Sequence, residues 1–546
     1  MSTEIPQHRQ NDTNNPIVAV DTGGTFTDVV TSNGRVAKVL SDKNDPAAAL
    51  ARGIEAATGH RQARLLAHGT TIATNALLER KGGRVALVTN AGFAHLIEIG
   101  RQRRPHLYDQ YADRPQALVP RDLRYEIGGR IGPDGSELEP LEEKSLEELA
   151  RLLAEASSGG RHLDSVAVCL LHSYTNPAHE KKVAAYLRDI GYDVVASHEV
   201  CPEFREYERF STTVVDAYLR PVASQYLTRL VELADLAFVM NSAGGLLPAP
   251  EAACHPAWLL LSGPVGGAVA GAAFARACGF PKAVTLDMGG TSADVALVVD
   301  GKPRFCRQIE IGGYPVKLAS VDLTTIGAGG GSIAWLDAGG ALRVGPQSAG
   351  SDPGPACYGR GGDKPTVTDA DLCLGRIPSD APFAGLGRLD LEAAQSAIKH
   401  LGVTPEDIAA VVDANMARAV RKVTAEKGVD PSEVALVAFG GAGPLHACAV
   451  ADQLGIETVI IPPLAGVLSA LGLLLSPVRR DLVRSWPRPL DRVGLEEERQ
   501  ELQKAAEKLV RDTGLTVEGS ETTLDCRYLG QSWELEAQSI EDFHEV

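Results

Sequence analysis

The alternation of apolar and polar positions in this chain repeats itself across a long interval. Ile17–Val30 reads I-V-A-V-D-T-G-G-T-F-T-D-V-V, and Ala283–Ala296 reads A-V-T-L-D-M-G-G-T-S-A-D-V-A. In each copy a short apolar run ends at an aspartate (Asp21, Asp287), passes through Gly-Gly-Thr (Gly23, Gly24, Thr25; Gly289, Gly290, Thr291) and resumes with Asp-Val at Asp28 and Asp294. Apolar and β-branched runs favour strands, and paired glycines supply the positive φ angles of a tight connection, so both stretches are expected to be hairpins. Ordinary hairpins leave the repeated acid unexplained. A glycine turn lets backbone N–H groups approach a phosphate, and a neighbouring carboxylate can hold the Mg²⁺ that accompanies it. Two such turns could clasp one polyphosphate.

A third apolar run, Val434–His446, V-A-L-V-A-F-G-G-A-G-P-L-H, leads into Gly440, Gly441 and Gly443, with Pro444 expected in the first turn of a helix. It is a poor dinucleotide fingerprint, because His446 holds the third glycine position. No G-x-x-x-x-G-K-[ST] phosphate loop occurs.

Between these stretches the pattern predicts a strand at Arg35–Leu40, an Ala-rich helix near Pro46–Thr58, and a strand from Leu65 that meets His68-Gly69-Thr70-Thr71 before a helix at about Ile72. Further strands are expected at Val85–Thr89 and Ser165–Leu171, and an amphipathic helix at Ser145–Ala156 with Ser145 and Glu148 at capping-box spacing. A helix of very small residues is expected within Leu259–Phe274, opened by Pro264. Val321–Trp335 and Val344–Tyr358 are glycine-rich and show neither helical nor strand period, so they read as long functional loops. Glu392–Gly428 and Leu495–Asp512 are helical in pattern, and Asp525–Ala537 resembles a strand. The uncharged run Thr458–Val478 is broken by prolines and glycines and reads as strand, loop and buried helix instead of a membrane span.

Composition narrows the class. The chain has 546 residues, enough for more than one domain, with 44% hydrophobic content for their cores. A net charge of −17 argues against sequence-independent binding to nucleic acid or anionic membrane. The nine cysteines form no C-x-x-C pair, which suits reduced thiols in the cytoplasm. The polar first residues, expected as a disordered tail over 1–15, carry no secretory signal.

Several other stretches match one family. D-T-G-G-T-F-T-D, H-G-T-T-I-A-T-N-A-L-L-E-R-K-G, E-I-G-R-Q-R-R-P-H-L-Y, L-D-M-G-G-T-S-A-D-V, G-A-G-G-G-S-I-A-W, S-A-G-S-D-P-G-P-A-C-Y-G-R-G-G and P-T-V-T-D-A-D-L resemble the A-type, ATP-handling subunit of the hydantoinase/oxoprolinase family, from about residue 16 to 540. The hairpins and the F-G-G-A-G-P turn also resemble the phosphate and adenosine motifs of the superfamily of actin, sugar kinases and heat-shock chaperones. The resemblance implies an α/β ATPase fold of two related halves with a cleft between them. It implies an N-terminal domain over 16–200, an ATPase domain over 201–485, and the start of a C-terminal domain over 486–546, which ends earlier than family chains commonly do.

The same resemblance implies a cytoplasmic hetero-oligomer that uses ATP and Mg²⁺ with a B-type partner subunit to activate a hydantoin, oxoproline or lactam for ring opening. A ketone carboxylase subunit is the alternative, with a sugar or polyol kinase or a non-enzymatic nucleotide switch further off. Carried onto this chain, Asp21 and Asp287 are the catalytic and Mg²⁺-holding residues. Gly23, Gly24, Thr25 and Thr27, with Gly289, Gly290 and Thr291, are expected on phosphate oxygens, and Gly440, Gly441 and Gly443 against adenosine. His68, Thr70, Thr71 and Arg101 are candidates for the organic substrate; helix capping explains the threonines equally well, and ion pairing explains the arginine.

Overall fold

The computed structural model describes residues 16–24, 26–42, 45–109, 111–380, 382, 386–486, 488, 492–531 and 533–545. The expected tail and Thr25 lie outside them. The chain forms two compact units, each discontinuous: Met1–Gly83 with Tyr218–Pro477, and Arg84–Ala217 with Val478–Val546. Both are mixed α/β, and both sequence-predicted phosphate hairpins fall in the first.

That first unit contains two six-stranded sheets connected by one rule. In one, the strands run in the order Leu246–Pro248, Ala234–Met240, Ala63–Thr70, Ile17–Thr22, Phe26–Thr31, Val36–Leu40. In the other the order is Lys302–Pro303, Ala293–Val299, Ala283–Met288, Ala435–Phe439, Val459–Ile460, with Leu323–Ile326 also paired to Ala293–Val299. Each sheet thus has an antiparallel hairpin whose first strand is flanked by a parallel strand, Ala63–Thr70 or Ala435–Phe439, and then by a second parallel one.

The period of two along Ala283–Met288 sorts its side chains onto opposite faces. Val284, Leu286 and Met288 enter a core with Ile408, Val412 and Met416 of helix Pro405–Ala425. On the opposite face, Ala283 packs with Val437, Phe439 and the small residues of helix Ser262–Ala277. Asp287 shares that second face.

Helix Ser262–Ala277 is small because two neighbours press on it. A Cβ at Gly271 would sit 2.5 Å from Thr285, and one at Gly267 would sit 2.6 Å from the Phe439 ring. Helix Leu468–Leu475 crosses so closely that a Cβ on Gly472 would lie 1.8 Å from the Gly266 carbonyl oxygen. Its Leu473 also approaches Gly69 in the first sheet. These glycines therefore set how near the helix pair comes to both sheets.

The second unit holds a parallel sheet in the order Val194–Ala196, Ser165–Cys169, Val85–Asn90, Arg124–Ile127, with helices Glu143–Ala156 and Ala178–Asp189. Helix Arg492–Arg511 and a hairpin of Leu524–Cys526 and Leu535–Ala537 complete it.

Some expectations change. Ser145 lies inside its helix, which starts at Glu143 without a side-chain cap, so the capping box is absent there; genuine boxes close at Thr366/Asp369 and Thr404/Asp407. The glycine-rich stretches contain strands, among them Leu323–Ile326, Ser332–Leu336 and Leu342–Ser348, whose pairing partners, not their own periodicity, hold them extended. The single strand expected at 525–537 is a hairpin.

The helix crossing yields a test. Gly472→Ala forces a methyl group into backbone and should cost about 1–3 kcal/mol or more. Thermal unfolding should show this as a lowered midpoint. Gly519→Ala, where a Cβ meets nothing, should leave the midpoint in place.

Candidate functional site

Register places the repeated acids opposite one another. Asp21 pairs with Asp28 across the first hairpin, and Asp287 pairs with Asp294 across the second. Directly opposed residues share one face with their Cβ atoms roughly 5 Å apart, an arrangement that destabilises like charges. Burial first, and the facing acids next, hold Asp21 well above the usual carboxylate range. Burial and Asp294 push Asp287 up to about 7, and burial pushes Asp294 up to about 6. Asp294 accepts from Thr325, Asp28 from the Lys38 ammonium, and Asp287 Oδ2 from Ser469 Oγ at 3.0 Å. Asp21 Oδ1 is buried and accepts from no group.

The hairpin turns above these acids close with Gly23 N–H donating to Phe26 O and Gly289 N–H to Ser292 O, both at 3.0 Å. Contrary to the expectation of positive φ, none of Gly23, Gly24, Gly289 and Gly290 adopts it. What glycine provides is an open backbone face: a Cβ on Gly24 would meet nothing, and one on Gly289 only Ser292 O at 3.9 Å. Thr291 is exposed beside the second turn. Thr27 is fully buried behind the first turn, in contact with Ser41, whose hydroxyl donates to Gly23 O. The second turn is braced by the loop G-A-G-G-G, whose Gly330 and Gly331 N–H groups donate to the Gly289 and Gly290 carbonyls at 2.9 and 2.6 Å. A Cβ on Gly329 would lie 2.6 Å from the Thr291 backbone. This brace went unrecognised in the sequence, where the glycines suggested only a loop.

The third motif joins the second hairpin directly. Gly440 ends strand Ala435–Phe439 with φ of +82°, and a Cβ there would lie 2.4 Å from Asp287 Oδ1. Gly443 begins helix Gly443–Leu454, with Pro444 in its first turn, and Gly441 faces open space. A neighbouring segment connects all three motifs: Ala465 O accepts from Gly440 N–H, Gly466 O accepts from Lys38, and Ser469 donates to Asp287. Nothing in the apolar sequence of that segment marked it out.

Beneath the third turn, His446 is fully buried between Asp413 at 2.6 Å and Asp371 at 3.1 Å. Burial alone would lower its pKa, but the hydrogen bonds to Asp371 and Asp413 raise it to about 9. It is therefore an imidazolium at neutral pH.

The H-G-T-T segment lies beside Asp21, since Gly69 pairs with Asp21 and Thr70 with Thr22. His68 is fully buried, donating from Nδ1 to Val20 O at 2.9 Å and accepting from the Tyr226 hydroxyl at 2.7 Å. Burial lowers its pKa to about 4, so it is neutral and supports Asp21's strand from behind. Thr70 is buried, and its hydroxyl accepts from Ile72 N–H at 3.2 Å. Thr71 is half-buried at the same end of the strand. Arg101 belongs to the other unit, where its guanidinium forks onto Glu208 at 2.8 and 2.6 Å.

Among the described residues no three His, Cys, Asp or Glu side chains are grouped to hold a metal ion. Mg²⁺ takes one or two carboxylates and completes its shell with water and phosphate oxygens. The unpartnered Asp21 oxygen and the open glycine faces fit such a cation with a polyphosphate.

Comparison with known proteins identifies relatives along most of the chain. The family described as Hydantoinase/oxoprolinase matches residues 209–482, and the Hydantoinase/oxoprolinase N-terminal region matches residues 17–191. The caprolactamase subunit alpha of Pseudomonas jessenii is 37% identical over 94% of this chain and 79% of its own length. The crystal structure of the ATP-dependent caprolactamase from that organism aligns at a TM-score of 0.83, with 34% identity over 96% of this chain and 81% of that one. A nucleotide-free acetone carboxylase structure, described in connection with ATP-dependent acetone carboxylation, aligns at 0.77 with 26% identity over 96% of this chain and 81% of that one.

The acid pairs make a pH prediction. The folded protein holds a proton on Asp287 up to about pH 7, whereas the unfolded chain releases it near 3.8, so stability falls as pH rises through that window. The unfolding midpoint of the ligand-free protein should drop between about pH 4 and 7. Asp287→Asn should flatten the drop and raise the midpoint at the alkaline end. An identical slope in the variant would show that ionised Asp287 carries no such cost.

Proposed function

The chain belongs to the hydantoinase/oxoprolinase family, and we propose that it is the ATP-handling subunit of an enzyme that opens a cyclic amide together with a B-type partner. The amide is a hydantoin, an oxoproline or a lactam. The observation that carries this reading is the duplicated acid pair under an open glycine turn, joined to the Gly440 turn through residues 465–469. The like connection of the two sheets supports an ATPase architecture of the actin and sugar-kinase kind, its nucleotide cleft between two related halves.

A ring amide is a poor electrophile near neutral pH. Magnesium-bound ATP supplies a phosphoryl group that makes the amide oxygen a competent leaving group. The protein's part is then positioning and charge stabilisation. Asp21 and Asp287 hold the cation, directly or through water, and Ser469 fixes the rotamer of Asp287. Gly24, Gly290 and Thr291 present backbone N–H groups to phosphate oxygens, while the N–H groups of Gly23 and Gly289 close the two turns and Thr27 supports the first turn from behind. Gly440, Gly441 and Gly443 give adenosine a flat backbone surface. Thr70 and Thr71 border the acceptor beside Asp21, with His68 holding the strand beneath.

A ketone carboxylase subunit is the second reading, favoured by the likeness to acetone carboxylase. Free cysteines throughout support a cytoplasmic location, and no helix among the described residues is long and apolar enough to cross a membrane.

The test is to purify the chain alone and with its B-type partner, and to follow ADP release over hydantoin, oxoproline, lactam and ketone. The chain alone should bind ATP and turn over slowly; the pair should release ADP with a cyclic amide. Asp287→Asn should lower that rate roughly 10²–10³-fold with the fold intact. Gly441→Val should weaken ATP binding without lowering the unfolding midpoint, since a side chain there meets only open space. Stimulation by ketone alone selects the carboxylase, and wild-type turnover in Asp287→Asn overturns the site.

A further inference from the structure

The two hairpins are alike as far as their second strands and differ at the third. In the first sheet Asp21, Asp28 and Lys38 face one another in a row across three strands. In the second the corresponding row is Asp287, Asp294 and Thr325. A hydroxyl suffices in one copy, and an ammonium stands in the other.

The Lys38 ammonium donates to Asp28 and, at 3.2 Å, to Gly466 O. The ammonium nitrogen itself lies over the Phe26 ring, 5.1 Å from the centroid, and the side chain is 31% exposed. Three donors are available on an ammonium; Asp28 and Gly466 O take two, and the partial exposure of the side chain leaves the third within reach of a ligand. The charge also reaches Asp21 and Asp287, lowering the pKa of both. Four aspartates beside one lysine make a net negative floor, which repels a polyphosphate unless positive charge stands where the anion lies.

We propose that Lys38 is a phosphate-binding residue: its remaining N–H meets a non-bridging oxygen of the nucleotide's polyphosphate, while Asp28 and Gly466 hold the ammonium in place. The assignment rests on the ATP reading above and extends it to a residue outside the glycine motifs. An ordinary structural ion pair is the competing account, and the two differ in what they do to nucleotides of different charge.

Calorimetric titration with magnesium and ATP, ADP or AMP separates them. Lys38→Met should weaken ATP roughly 10–100-fold, the range of a lost charge-assisted hydrogen bond, and leave AMP within about twofold. Lys38→Arg should restore most ATP affinity. If the methionine variant does not fold, Lys38→Gln, which keeps a donor for Gly466 O, takes its place. Unchanged ATP affinity, or equal losses for ATP and AMP, overturns the assignment of Lys38. A wild-type chain that binds no ATP overturns the nucleotide reading itself.

Discussion

The constraint on which the site depends is the confrontation of like charges in two hairpins. Strand register fixes Asp21 opposite Asp28 and Asp287 opposite Asp294, and neither pair can separate without breaking a ladder whose neighbouring residues are buried. A one-residue slip would carry Val20 and Leu286 out of their cores and turn every side chain over. The hydrophobic pattern thus enforces an electrostatic cost, and the protein answers it with partial protonation, one lysine and two hydroxyls. Sites that hold such unrelieved cost belong to function more often than to stability.

Glycine lets the backbone come close enough for these acids to act together. At Gly440 a side chain would strike Asp287, and at Gly472 and Gly266 it would push apart the helices lying against both sheets. Through the segment 465–469 the lysine of one hairpin, the aspartate of the other and the third turn are tied by three hydrogen bonds. A shift in any one of the three motifs is felt at the others through backbone that has little room to yield.

Much of this was legible in the sequence because it is local. The hairpins at Ile17–Val30 and Ala283–Ala296, the strand into Gly440 and the small-residue helix all follow from short-range pattern and appear where expected. What escaped is non-local. Ser469 and Gly466 lie in an apolar run with nothing to mark them, and Lys38 reads as a solvated strand residue until its partner is known. The strands at Leu323–Ile326 and Ser332–Leu336 are held by neighbours and not by their own periodicity. The glycine turns show the opposite error, a correct location with the wrong reason, since open backbone and not positive φ is what glycine contributes there.

The molecule contains a second buried charge cluster, and the contrast between the two explains why only one reads as a ligand site. His446 lies between Asp371 and Asp413, and Arg376 also donates to Asp371. Each charge there is met by an opposite one, and both imidazolium N–H groups are spent. A buried network satisfied in this way specifies geometry, here that of the helix opening at Gly443, to which adenosine is assigned. Around Asp21 the balance is left incomplete: carboxylates outnumber cations, one buried oxygen accepts from no group, and the turns above present open backbone. The completed cluster positions one end of the nucleotide site, and the incomplete one leaves positive charge to be supplied by what binds.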